Sequence, residues 1–126
     1  MDKEEYKIAV ASSDGIVVNT HFGRAKDFYI YRIDDEEQMH FLEKRSVTPV
    51  CETGNHDNEK LKANLEKLMD CKYLLVSRIG SGATDMAAAC GIESYEIPGI
   101  IEESVEQLIK YIKIQKLFEE EGQNNE

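Results

Sequence analysis

Two periodicities divide this chain. Lys7 to Ser12 (Lys-Ile-Ala-Val-Ala-Ser) is a short apolar run that ends in Ser12-Ser13-Asp14-Gly15, the pattern of a strand entering a turn. Phe28 to Asp34 is rich in aromatic and β-branched residues and predicts a second strand. Met39 to Val47 alternates imperfectly and predicts a third, stopped by Pro49. The pattern then lengthens. Leu61, Leu65, Leu68 and Met69 fall at helical spacing, behind capping residues in Asn55-His56-Asp57-Asn58. Tyr73 to Ser77 is a continuous apolar strand of the kind covered on both faces. Ala83 to Cys90 reads as a short alanine-rich helix with Gly91 as its stop, and Ile92 to Ile97 as a fifth strand before Pro98-Gly99. Ser104 to Phe118 predicts a last helix, with Val105, Leu108, Ile109 and Ile112 on one side.

The order β-β-β-α-β-α-β-α implies an α/β protein with an antiparallel meander followed by helical crossovers, a ribonuclease-H-like five-stranded mixed sheet with three helices. If consecutive early strands form hairpins, strands one and three run the same way. Strands four and five, reached through crossovers, run parallel to strand one. Segments 12–27, 49–57, 78–82 and 98–101 then leave the carboxyl edge of the sheet together, where open α/β sheets bind ligands. Cys71 and Cys90 precede strands four and five and belong at the opposite edge, as core-facing thiols.

Composition narrows the class. The 126 residues are expected to form one domain, 1–118, with residues 119–126 as an acidic flexible tail. Fifteen Lys and Arg against 25 Asp and Glu give a formal net charge of −10, which disfavours a phosphate backbone, so no nucleic-acid partner is expected. Lacking a membrane-length apolar run or a signal-peptide pattern, the chain is expected to be cytoplasmic, with no membrane partner. Three cysteines do not form a disulfide framework there, and leave thiols for packing or metal.

The candidate chemistry lies on the edge loops. His21, Phe22, Gly23 and Arg24 set an imidazole, a glycine and a cation between two strands. A neutral imidazole ligates transition metals, Arg24 can hold sulfide or carboxylate oxygen, and Gly23 lets a ligand approach the backbone. The same residues also fit a surface turn capped by a histidine. Cys51 and His56 form a second soft or borderline ligand pair at the same edge; a small buried cysteine and a helix-capping segment fit them equally. Arg78, Gly80, Ser81 and Gly82 run from a strand into a helix, where bare N–H groups make an anion site or simply a tight turn. The turn lacks the lysine of a phosphate loop and the third glycine of a dinucleotide fingerprint. Strand one carries no carboxylate, so a ribonuclease-H-type metal nuclease is not supported, and no nucleophile–base pair marks an enzyme.

Lys-Ile-Ala-Val-Ala-Ser, His21-Phe22-Gly23-Arg24-Ala25 with Phe28 and Tyr31, Asp70-Cys71, Arg78-Ile79-Gly80-Ser81-Gly82-Ala83 and Cys90-Gly91-Ile92 together resemble the dinitrogenase iron–molybdenum cofactor biosynthesis family. That family includes small cluster carriers of the NifX type and the C-terminal domain of the radical enzyme that builds the cofactor precursor. The resemblance runs from about Lys7 to Ile112. It implies a ribonuclease-H-like fold and a non-enzymatic carrier of an iron–sulfur cluster or an iron–molybdenum cofactor precursor, with cluster donor and acceptor proteins as partners. It also implies that His21 holds the cargo. A protein-interaction or regulatory module of the same fold, empty of metal, is the alternative, and a small-anion-binding enzyme domain a weaker third.

Overall fold

The computed structural model describes residues 5–48 and 58–124. β1 (Tyr6–Ala11) is central because both its faces are apolar: Ile8 and Val10 on one side, Ala9 and Ala11 on the other, all fully buried. β3 (Asp27–Ile33) pairs antiparallel with β1, setting Tyr6 against Ile33 and Ala11 against Phe28. β4 (Met39–Ser46) pairs antiparallel with β3, while β5 (Tyr73–Val76) and β6 (Glu93–Glu96) follow parallel to β1. The sheet order is β4-β3-β1-β5-β6, a five-stranded mixed sheet of ribonuclease-H-like arrangement.

Three helices cover it. α1 (Asn58–Glu66) and α2 (Ser81–Ala89) lie on the face carrying Ala9, Phe28, Ile30 and Leu74, with Leu65 of α1 and Leu68 just after it buried in the same cluster. α3 (Ile101–Asn124) closes the other face, packing Leu108 and Ile112 over Ile8, Val10 and Leu75. Cys71 is buried and Cys90 partly buried, both at the amino edge of the parallel strands, as the topology predicts. None of the helices is long and apolar enough to cross a membrane, among the described residues.

The imperfect alternation of β4 has a cause. Ile30 faces Glu43 while Tyr31 faces Phe41, so Leu42 is an unopposed bulge residue. Two short elements carry no periodicity and escape the sequence pattern: β2 (Val17–Val18) and β7 (Gly99–Ile100), which pair antiparallel as a separate ribbon. α3 is longer than the expected 104–118. It begins directly after β7, where Ile101 N–H donates to Ile16 O at 2.9 Å, and no proline interrupts it before Asn124.

Candidate functional site

β1, β5 and β6 end along one edge, at Ala11, Val76 and Glu96. The connection from β1 to β3 is not a tight hairpin; it crosses this edge and is pinned on the way. Ser12 Oγ accepts Gly15 N–H at 2.9 Å, and Asp14 Oδ1 accepts Ile16 N–H at 2.9 Å and Val17 N–H at 3.1 Å. Those bonds, Ile16 N–H first, draw the Asp14 carboxyl below its usual range. Gly15 sits at φ +78° beneath the Tyr29 ring, where a Cβ would come within 2.8 Å, so both the backbone and the space require glycine.

The chain then lies alongside the end of β5. Ser77 N–H donates to Thr20 O at 3.1 Å, Phe22 N–H to Arg78 O at 2.8 Å, and His21 forms an isolated parallel bridge with Arg78. His21 is extended, with φ −70° and ψ 142°, so its side chain and that of Phe22 leave the backbone on opposite sides. Phe22 is buried and packs on Phe28 with ring centroids 5.8 Å apart. The imidazole is therefore turned outward. It makes no side-chain cap to the 3-10 turn of Phe22–Arg24 and has no side-chain partner among the described residues, which removes the turn-capping role.

Arg78 and Arg24 are exposed and form no ion pair among the described residues, in a chain whose acids outnumber its bases. Beyond Arg78, Ile79 N–H donates to Glu96 Oε2 at 2.8 Å. Gly80 is the N-cap of α2 and has no side chain to satisfy the first N–H groups of that helix. Thr84 Oγ1 donates back to Gly80 O at 3.0 Å and fixes the turn. A Cβ at Gly80 or Gly82 would meet nothing within 4 Å, and neither glycine has a left-handed φ. Their smallness thus serves no packing need within the fold and leaves the backbone donors of the turn open.

The rim accordingly brings together His21, Arg78 and the glycine turn at 80–82, with Gly23 and Arg24 one turn along. Cys51 and His56 lie outside the described residues. No group of three His, Cys, Asp or Glu side chains converges among the described residues, so His21 stands there as a single imidazole among cations and backbone donors. Glu96 is the residue the sequence reading missed. It ends a short strand with no motif around it, and only the fold shows that its carboxylate reaches the Arg78–Gly82 segment.

A sequence profile described as "Dinitrogenase iron-molybdenum cofactor" matches residues 4–111. The chain belongs to this family. Among its relatives, the FeMo cofactor biosynthesis protein NifB of Chlorobaculum tepidum is 36% identical over 104 residues, covering 82% of this chain and 24% of that protein. Protein NifY of Klebsiella pneumoniae is 30% identical over 76 residues, covering 60% of this chain and 31% of that protein. The chain thus spans a third or less of either relative. The crystal structure of PH0822 shares the fold with a TM-score of 0.63 at 22% identity, over 82% of this chain and 90% of that one.

Proposed function

We propose that this member of the dinitrogenase iron-molybdenum cofactor family takes part in cofactor biosynthesis as a non-enzymatic carrier. Its cargo would be an anionic iron–sulfur cluster or an iron–molybdenum cofactor precursor, received from one protein and passed to another in the cytoplasm. The observation that carries this reading is the outward-facing imidazole of His21, without a side-chain partner among the described residues, on a backbone that forms a β-bridge with Arg78, beside a glycine turn whose backbone donors are open. The neutral ring nitrogen supplies one coordinate bond to iron. Arg24 and Arg78 offset the negative charge of the cluster and donate to its sulfides or to a carboxylate. The amides at 80–82 supply further donors at a helix N-terminus. The names of NifB and NifY relatives favour the same pathway.

Sparse coordination suits a carrier. Closed structural sites with four protein ligands hold metal as part of the fold, whereas one imidazole and a set of hydrogen bonds release it by exchange. Cys51 and His56, outside the described residues, are further candidate ligands from the sequence, and Phe22 and Gly23 position the imidazole. Anaerobic reconstitution with iron and sulfide tests the proposal. The wild-type chain gains charge-transfer absorption with stoichiometric iron, His21→Ala loses most of it, and Gly82→Val reduces it without unfolding the protein. A wild-type chain that takes up no cluster overturns the carrier reading in favour of an interaction module. Equal uptake by His21→Ala overturns the role of the imidazole.

A further inference from the structure

The two sides of α3 are both apolar, and only one is used. Ile101, Val105, Leu108 and Ile112 are at most 5% exposed and face the sheet. Past Ile112 the helix continues to Asn124 without burying another large side chain among the described residues. On the outward side, Tyr111, Ile114, Leu117 and Phe118 are 46%, 50%, 60% and 70% exposed. A projecting helical segment this short is marginal in water without a packed face, and an apolar stripe of this size on a surface helix marks an interaction site.

The spacing of that stripe identifies its occupant. Gln107, Lys110, Ile114, Leu117, Glu121 and Asn124 follow one another at steps of three and four, the repeat of a coiled-coil seam. The sequence along it is polar, basic, apolar, apolar, acidic, polar. We propose that α3 pairs antiparallel with α3 of a second copy of this chain, with the Ile114 position of each helix level with the Leu117 position of the other. That register brings the Lys110 position level with Glu121 of the other copy and Gln107 level with Asn124. Apolar positions then stand level with apolar ones, and the basic position of each helix with the acidic position of the other. Parallel pairing would place Lys110 against Lys110 and Glu121 against Glu121, so the charges select the antiparallel arrangement. Tyr111 and Phe118 flank the seam, with Tyr111 already held edge-on against Tyr95 at 5.4 Å.

The pairing does not compete with cargo. α3 starts at the carboxyl rim, where Ile101 bonds Ile16, and reaches the opposite edge by Lys113, whose Nζ pairs with Glu37 Oε1 at 3.0 Å in the β3–β4 turn. Both rims of the dimer stay open. With two apolar positions per helix in the seam the contact is a small one, so a weak, concentration-dependent dimer is expected.

Sedimentation equilibrium of the whole chain across micromolar concentrations, at about 0.15 M salt to screen the like net charge of the copies, tests the proposal. The wild type shifts from monomer to dimer with concentration. I114E with L117E stays monomeric with unchanged far-UV circular dichroism, because both side chains are already exposed in one copy. K110E and E121K each weaken the dimer about tenfold, and the double variant K110E/E121K restores it. A wild type that is monomeric throughout, leaving the stripe to another protein, overturns the proposal. So does a dimer that survives I114E/L117E, or a charge swap that fails to restore association.

Discussion

His21 faces outward because Phe22 faces inward. The sequence shows the motif; the burial of Phe22 against Phe28 is what directs the imidazole away from the core. The same dependence of one side chain on its neighbours governs Asp34, at the turn between β3 and β4. Its Oδ2 lies 2.8 Å from His40 Nε2, while Oδ1 accepts Glu36 N–H at 2.8 Å and Gln38 N–H at 2.9 Å. These bonds, that of His40 foremost, lower the carboxyl from 3.8 to about 2. A folded-state pKa below the unfolded one means the turn is stabilised while the carboxylate is ionised. That contribution is complete above about pH 4 and is lost as pH falls from there towards about 2. In a carbon-detected NMR titration, the Asp34 carboxyl carbon should show its midpoint near 2 in the wild type, with a higher midpoint in His40→Ala. A midpoint unmoved by that substitution would assign the shift to the backbone donors alone.

At the scale of elements, what was legible was what periodicity encodes. The five sheet strands and three helices fall where apolar spacing puts them, within a few residues at their ends, except that α3 runs on past Phe118 to Asn124. β2 and β7 were illegible because two residues carry no period; Val17 and Ile100 pair only because the fold brings the rim loops together. β4 could be read as a strand, but its attachment could not. It is an edge strand with Phe41 and Leu42 exposed, and such strands need a device that holds them and discourages further pairing. Arg45 is that device. Its guanidinium grips Asp70 in a fork, at 2.7 and 2.8 Å, donates to Lys67 O at 2.8 Å and is braced by Glu43. This ties β4 to the turn after α1 and gives Asp70, next to the buried Cys71, a structural task. Because Asp70 is 42% exposed, the pair is discounted towards surface values. Arg45→Ala should cost about 1 kcal/mol, read as a lower urea midpoint at unchanged slope. Arg45→Lys should recover only part of it, since a lysine cannot reproduce the fork. A slope that changes instead would mean that β4 detaches before the rest unfolds.

At the scale of the molecule, strand direction makes the site. Parallel β1, β5 and β6 send their carboxyl ends to one edge. From the chain order alone this separates the His21 loop and the glycine turn from Cys71 and Cys90. Order could not supply the contact between them, because the His21–Arg78 bridge is tertiary and Glu96 arrives from a third strand. A cargo held at the rim must therefore slow amide exchange there and nowhere else. On loading with the cluster, Phe22, Ser81 and Gly82 should exchange more slowly: Ser81 and Gly82 by donating to cargo, Phe22 because the segment it anchors opens less often. Ile79 should respond differently. Its N–H is already taken by Glu96 at 2.8 Å, so an anion entering the turn competes with that carboxylate, and Glu96→Gln should raise apparent affinity by removing a like charge from beside the cargo. At the amino edge, Lys72 N–H bonds Lys7 O at 2.9 Å and Glu93 N–H bonds Lys72 O at 3.0 Å, and neither should change. Hydrogen–deuterium exchange with mass spectrometry, with and without cluster, reads both edges in one experiment. Protection that reaches Lys72 and Glu93 as strongly as Ser81 and Gly82 would mean that loading tightens the whole domain, and one-edge binding would have to be abandoned.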